Sequence, residues 1–360
     1  FEPVSQQCNL VDLSFIGAPY TWRRRRLFER LDRALASYDW RILFPEASLS
    51  HLNPLKSYHS PILLRLFPER LERPTRRPFR FEAAWLTHEG FSDTMRHEWN
   101  VHQPWNQRVN HTKQSLLEWN KSTFGNIFYA KRRLLRRLQG ITRELRLGNN
   151  IFLEQLQAEL WAELDLIFKR EEILWFQKSR CNWLKLGDRN TCYFHGSTIV
   201  RRRKRRIMKL MNDNDDWITH KDELESMVTK FYKNLFNDTE DDEPFCLSNA
   251  FPRLDDDDLS LIGAPIKNDE IFSAVKSMGG FKAPGPDGLQ AIFYQTQWNT
   301  VGSAVYQLIH EIEADPTKVA DINETLIVLI PKVDAVTYLK QMRPIILCNV
   351  SYMILTKVLA

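Results

Sequence analysis

Paired cysteines are missing from this chain. Its five cysteines, Cys8, Cys181, Cys192, Cys246 and Cys348, are scattered and odd in number, with no CxxC spacing among them. That excludes a disulfide framework and predicts a reducing, intracellular setting, nuclear or cytoplasmic, with no secretion. Cys181, Cys192 and His195 lie close in sequence but lack an evident fourth ligand, so buried thiols are expected there and no metal. No apolar run approaches the ~20 residues that span a bilayer, and no signal-peptide pattern opens the chain, so no membrane partner is expected. A nucleotide-hydrolase phosphate loop is missing too: residues 283–288 carry two Gly and two Pro but neither the lysine nor the spacing, so ATP hydrolysis is not supported.

What is present is enough apolar material for real cores, with 21 Phe and 11 Trp in a chain that is 43% hydrophobic. The 50 basic residues barely outnumber the 45 acidic ones, so the places where cations cluster carry more information than their +5 excess. At 360 residues the length predicts two or three domains. Residues 1–67 end in alternating apolar positions that suit a terminal strand. Prolines 68, 74 and 78 then mark a linker. From Phe79 to about Phe194 the pattern is helical, with Leu153, Leu156, Leu160, Leu164 and Ile167 on one stripe. Arg132, Arg133, Arg136 and Arg137 form a basic face just before it, and Gly148 to Asn150 break the pattern, which predicts two antiparallel helices.

Two cation runs stand out. Arg23 to Arg26 fit either a DNA backbone or a solvated loop. Arg201, Arg202, Arg203, Lys204, Arg205 and Arg206 are six in succession and repel one another unless anions or water intervene. Three uses are open for them: a nucleic-acid backbone, a nuclear-import signal, or a solvated turn. Residues 222–236 predict a helix with Leu224, Met227, Val228, Phe231 and Leu235 on one side. The acidic tracts at 238–243 and 255–258 predict solvated linker or a helix first turn, since neighbouring aspartates cannot all face one ion. Asn268 is the expected cap of a helix carrying Ile271, Ala274, Val275 and Met278 and stopping at Gly279 and Gly280. Residues 283–288 follow as a stiff, bent loop whose backbone can approach a ligand closely. A helix from Trp298 to about Glu313 leads to two apolar runs, Leu326 to Ile330 and Ile345 to Cys348, which predict an antiparallel hairpin. Lys332 and Arg343 can then face the same space. An ammonium beside a guanidinium suits a polyphosphate, and equally the pair are two solvated charges at strand ends.

The strings FKAPGPDGL (Phe281 to Leu289), LIPK (Leu329 to Lys332), RPI and LCN (Arg343 to Asn349) and YMILTKVLA (Tyr352 to Ala360) resemble, in order, the opening blocks of the reverse transcriptase of LINE-type non-LTR retrotransposons, especially those of plants. The resemblance implies that Lys332 and Arg343 contact the triphosphate of an incoming nucleotide and that the loop bearing Gly285 and Asp287 lies near the template strand. Ile346, Met353 and Ala335 depart from the family's usual Ser, Lys and Pro. DLSFIGAPYTW, ERLDRAL and FPEASLSHLNPLKSYHSPILL, between Asp12 and Leu64, resemble the C-terminal end of the apurinic-type endonuclease of the same elements. His59 is then the catalytic histidine and Asp32 the carboxylate that orients it. Tyr58 stands where the family has Asp, so this block is expected to be inactive. Trp183 to Leu210 resembles the block between the two enzymes.

The expected layout is an endonuclease sheet remnant over 1–67, a helical basic connector over 68–215, and partial reverse transcriptase fingers over 216–360, in an α+β fold that is mostly helical. The implied partners are an RNA template, a DNA target and a nucleoside triphosphate. The resemblance implies that the full-length family enzyme uses Mg2+ held by palm carboxylates, one aspartate at a strand's end and a Tyr-Ala-Asp-Asp-like hairpin further on. No such tetrad occurs in these 360 residues, so no bound cofactor and no polymerase activity are expected of this polypeptide alone. Phe1 at the start and an apolar helical pattern cut at Ala360 read as a piece of a longer protein. A non-catalytic basic RNA- or DNA-binding module is the alternative.

Overall fold

Short strands separated by turns build the first part of the chain. They are β1 (Leu10–Asp12), β2 (Trp22–Arg24), β3 (Leu27–Glu29), β4 (Leu35–Ser37), β5 (Ser48–His51) and β6 (Ile62–Arg65), with helix α1 (Tyr38–Leu43) between β4 and β5. The computed structural model describes residues 10–24, 27–52, 57–67, 78–99, 102–148, 150–179, 191–204, 207–237, 255–257, 259, 263–333 and 336–360. The strands pair antiparallel as β1 with β4, β2 with β3, and β5 with β6. Single bridges, Ile16 to Ser50 and Trp22 to His59, tie these ladders together. At three or four residues each strand is too short to carry a wide sheet, so the expected strand content appears as separate two-stranded ladders.

Helices dominate the rest. α2 (Phe91–Glu98) and α3 (Trp105–Trp119) follow a short 3-10 turn at Ala83–Thr87, and α3 runs into one π-turn over Asn120–Phe124. α4 (Ile127–Leu145) starts where the Asn126 side chain accepts the Tyr129 N–H at 3.0 Å. α5 (Ile151–Ser179) runs back along it, which is the expected helical hairpin. Their seam is Leu134, Leu138 and Ile141 against Leu160, Leu164 and Ile167, all buried. Each such side chain contributes roughly 2 kcal/mol, so burial of the stripe, more than helix propensity, holds the hairpin closed. A buried Glu171 carboxylate is paired with Lys131 at 2.6 Å across the same seam. Gly140 lies on the opposite side of α4, where a Cβ would meet nothing within 4 Å. Gly140→Ala is expected to raise stability by about 0.5–1 kcal/mol, read as a shift of the urea midpoint at unchanged slope.

α6 (Thr191–Lys204) packs on α1 and α5, and Gly196 lies so close to the Tyr38 ring that a Cβ would stand 2.2 Å from it. β7 (Leu210–Met211) and β8 (Trp217–Ile218) form a small hairpin, followed by α7 (Lys221–Phe236). Here one expected position is corrected. Leu235 is 57% exposed, and Tyr232 takes the inward place with Leu224, because the buried stripe turns with the helix toward Leu339 and Met342. The tract at 238–243 lies outside the described residues, and Asp255, Asp256 and Asp257 are exposed.

α8 (Asn268–Ser277), α9 (Ala291–Thr296), α10 (Trp298–Ala314), β9 (Thr325–Pro331), β10 (Met342–Cys348) and α11 (Val350–Leu359) complete the chain. The N-cap of α8 is Lys267, one residue before the expected Asn268. The Glu270 carboxylate accepts the Lys267 N–H at 2.9 Å, while Asn268 Oδ1 meets His310 Nε2 at 2.9 Å. The largest core joins Phe81, Trp85, Phe91 and Leu116 to Ile271, Phe293, Val305 and Ile354, so residues on both sides of position 215 share one interior. The fold is α+β and mostly helical, as the sequence predicts.

Candidate nucleic-acid interface

Alternating Pro and Gly bend the stretch after α8, and what lies against each bend fixes it. At Gly285 a Cβ would stand 2.4 Å from Asn349 N and 2.5 Å from Cys348 C, so the loop backbone touches the junction of β10 and α11. Gly288 has φ +78°, and a Cβ there would stand 2.3 Å from the Phe79 carbonyl oxygen. Its own carbonyl accepts the Phe81 N–H at 3.0 Å. Between the two glycines, Asp287 donates its N–H to Asn349 Oδ1 at 3.0 Å and accepts the Leu289 N–H at 2.9 Å. Gln290 donates to the Lys282 carbonyl at 2.9 Å and accepts from Gln177 of α5, which also donates to Phe81 O at 2.7 Å. One loop therefore fastens the extended segment Phe79–Phe81, the end of α5, and the start of α11.

Burial pushes the Asp287 carboxyl up to about 6, against the Leu289 N–H and the charges of Lys113 and Arg80. Burial, with Asp287 nearby, also pushes Tyr294 well above the usual phenol range, and its hydroxyl has no partner among the described residues. The structure thus places Gly285 and Asp287 inside. The loop meets solvent through Lys282 and, in part, through Ala283 and Pro286.

The expected hairpin of β9 and β10 is present, with Arg343 opposite Ile330 and Met342 opposite Pro331. Pairing continues one step further, since Lys332 N–H donates to Gln341 O at 2.9 Å. Arg343 and Lys332 therefore share one face of the ladder, on diagonal positions that typically lie roughly 7–8 Å apart. Both are exposed. The Lys332 ammonium is turned to the Lys340 carbonyl at 3.0 Å, and Arg343 has no hydrogen-bond or ion-pair partner among the described residues. Buried Met342 on the other face anchors the hairpin to Leu210, Leu224 and Leu339. Tyr338 Oη donates to Asp215 Oδ1 at 2.7 Å and adds a tie between the hairpin's connection and the turn from β7 to β8.

Of the six successive cations, Arg201 is half-buried and its guanidinium donates to the carbonyl of Ser179, where it closes the end of α5. Arg202 is exposed on α6. Arg203 and Lys204 continue the helix, and Arg205 and Arg206 lie outside the described residues. In the other run, Arg23 lies 5.1 Å over the Phe28 ring, while Arg25 and Arg26 lie outside the described residues.

Near the N-terminus the two residues singled out from sequence do meet. His59 Nδ1 lies 2.9 Å from Asp32 Oδ2, and Asp32 N–H donates to the buried Thr21 hydroxyl at 2.8 Å. The hydrogen bond from His59 holds the Asp32 carboxyl below its usual range. A carboxylate on Nδ1 selects the tautomer that leaves Nε2 free to accept a proton. Tyr58 beside it is 72% exposed and offers no carboxylate. The sequence reading missed His51. Its ring stacks on Phe15 at 4.1 Å, Nδ1 lies 2.7 Å from the Ala18 carbonyl, and Nε2 is buried without a partner among the described residues. Burial lowers its pKa. The signal available was the two-residue period of β5, which turns His51 to the same side as buried Leu49. His195, one of the three residues weighed for a metal, stacks on Trp175 at 3.9 Å. Cys181 lies outside the described residues, as does the Cys192 side chain.

No protein-family model matches the chain. Over 293 residues, 78% of its length, it is 22% identical to the Transposon TX1 uncharacterized 149 kDa protein of Xenopus laevis, of which the match covers 22%. The chain thus spans less than a quarter of that relative's length.

Proposed function

We propose that this chain is part of a LINE-type retrotransposon protein: the triphosphate-facing fingers of an RNA-directed DNA polymerase, preceded by a basic helical connector and the C-terminal end of an apurinic-type endonuclease. The likeness to a transposon protein over most of the chain supports a transposon-derived origin. The observation that carries the finer reading is the assembly of loop, hairpin and helix. The loop at Gly285 and Asp287 meets Asn349, 64 positions beyond Gly285, at one end of the hairpin, and the other end of the same ladder carries Lys332 and Arg343 as two exposed cations on one face. A guanidinium and an ammonium so placed can each take charge-assisted hydrogen bonds from the oxygens of a triphosphate.

The Mg2+ of such enzymes has no holder among the described residues. Among the described residues no three His, Cys, Asp or Glu side chains are grouped to bind a metal, so the residues do not fit it, and the chemistry proposed for this chain is binding alone. The endonuclease part keeps its His59–Asp32 pair but has Tyr58 in place of a carboxylate, and we assign it no cleavage. No helix among the described residues is long and apolar enough to cross a membrane.

The test is calorimetric titration of the 360-residue chain with a deoxynucleoside triphosphate. Lys332→Ala combined with Arg343→Ala is expected to weaken binding by at least about tenfold, since hydrogen bonds to charged groups contribute roughly 1.5–3 kcal/mol each. An unchanged affinity in the double variant would sink this assignment.

A further inference from the structure

We propose that the outward face of α4 is a docking surface for the phosphate backbone of a nucleic-acid double helix. The inference rests on the nucleic-acid reading above and gives it a location other than the run at 201–206. α4 carries six cations against the single acid Glu144. Its seam residues Leu134, Leu138 and Ile141 face α5, and on a 3.6-residue helix the side directly opposite holds Arg132, Arg136 and Arg143, flanked by Arg133 and, just past the helix end, Arg146, with Arg137 nearer the edge that meets α5. All six are exposed. Arg133 reaches Glu163 at 3.8 Å, whereas the other five have no ion-pair or hydrogen-bond partner among the described residues.

Five unneutralised guanidinium groups on one helix repel one another at short range, and anions relieve that repulsion. Arg143 and Arg146 gain something from the negative end of the helix dipole, but Arg132, Arg136 and Arg137 are too far from it. Partner α5 has the opposite character, with exposed Glu154, Glu159, Glu163 and Asp165. A polyanion is therefore attracted to one edge of the hairpin and repelled from the other, which sets its orientation. From Arg132 to Arg146 the helix rises ~21 Å. A duplex presents a phosphate on each strand about every 3.4 Å, so about six phosphates per strand pass along that edge. A single-stranded partner calls for aromatic side chains interleaved with the cations as stacking platforms. The exposed aromatics of this helix are Tyr129 and Phe128, both confined to its first turn, and Phe128 packs on Trp175. The chemistry present reads charge and spacing, not bases.

The experiment is a fluorescence-anisotropy titration of the 360-residue chain on a 20-base-pair DNA duplex across a series of salt concentrations. An RNA duplex and an RNA single strand of the same length are run beside it. Substituting Gln at Arg132, Arg136, Arg137 and Arg143 is expected to reduce the slope of log affinity against log salt by roughly 3 to 4, at about 0.9 per lost phosphate contact. Gln at Arg132 and Arg136 alone is expected to reduce it by about half as much, and Lys at all four to preserve it. Gln suits a helix, so the fold is expected to survive, with circular dichroism as the check. Gln at Lys221, Lys230 and Lys233, exposed cations of α7, separates location from total charge and is expected to leave the slope nearly unchanged. If the wild type binds but the α4 and α7 variants lose slope equally, or neither loses any, the proposed surface is wrong while the nucleic-acid reading stands. Tighter binding of the single strand than of either duplex also overturns it. No salt-dependent binding by the wild type would overturn both.

Discussion

Gly288→Ala is expected to destabilise the chain by about 3 kcal/mol or more, the sum of two effects that act at one atom. A residue with a Cβ pays roughly 1–2 kcal/mol to hold left-handed geometry, and Gly288 has φ +78°. The new methyl would also stand 2.3 Å from the Phe79 carbonyl oxygen, a contact that real structures do not tolerate. That oxygen belongs to backbone and cannot swing away as a side chain would. Moving the segment Phe79 to Phe81 stretches the 3.0 Å hydrogen bond from Phe81 N–H to Gly288 O and shifts Phe81, which packs edge-on against Trp85 and Phe293. Gly280 gives the contrast. There a Cβ would stand 3.0 Å from Gln295 Oε1 and 3.3 Å from Ile292 Cβ, side-chain atoms and not backbone, and no left-handed geometry is required. Urea denaturation of the two alanine variants is therefore expected to separate them by about 2 kcal/mol or more. Equal midpoints would mean that the loop is not held against Phe79.

These two glycines also mark where the sequence stopped being readable. Local signals were enough for the hairpin of β9 and β10, because two short apolar runs rich in Ile, Val and Leu flank a polar connection and a proline ends the first. They were enough for α4 and α5 as well, where spacings of three and four run through Leu153 to Ile167 and Gly148 to Asn150 part that stripe from the helix before it. The bend at residues 283–288 was legible, but its purpose was not. A Pro-Gly loop that reaches for a ligand and one that clamps two remote segments have the same local composition, and only the packing of Phe79 and Asn349 distinguishes them. Arg201 follows the same logic. Six consecutive cations look alike in sequence, yet one of them closes a helix that ends 22 positions earlier. Tyr232 in place of Leu235 shows the limit of periodicity, since both satisfy a helical stripe and the neighbour at Leu339 decides between them. The His59–Asp32 pair, 27 positions apart, was reached through resemblance alone, and no rule of spacing would have joined them.

Asp287→Asn is expected to raise stability at neutral pH, by about 1–3 kcal/mol, and to have little effect near pH 4. The carboxyl is raised from an ordinary 3.8 to about 6 on folding, with burial the chief cause. The folded chain thus holds on to this proton more tightly than the unfolded chain does, and between pH 4 and 6 it binds more protons. Stability contributed by Asp287 is then complete below about pH 4, falls as pH rises to 6, and stays lost above it. At about 1.4 kcal/mol for each unit of pKa the loss comes to roughly 3 kcal/mol. Asparagine has nearly the same shape, keeps an oxygen for the Leu289 N–H at 2.9 Å, and carries no charge to bury. The value of about 6 already includes the attraction of Lys113 and Arg80 to the ionised group, and the amide NH2 that asparagine brings into this buried site offsets part of the gain and sets the lower end of the range. The decisive comparison is urea denaturation of wild type and variant at pH 4.5 and 7.5, with the midpoint difference expected mostly at the higher value. Should the variant be weaker than wild type at pH 7.5, the ionised carboxylate would be contributing to the fold through those two cations. The loop would then be held by charge as well as by the close backbone contacts at Gly285 and Gly288.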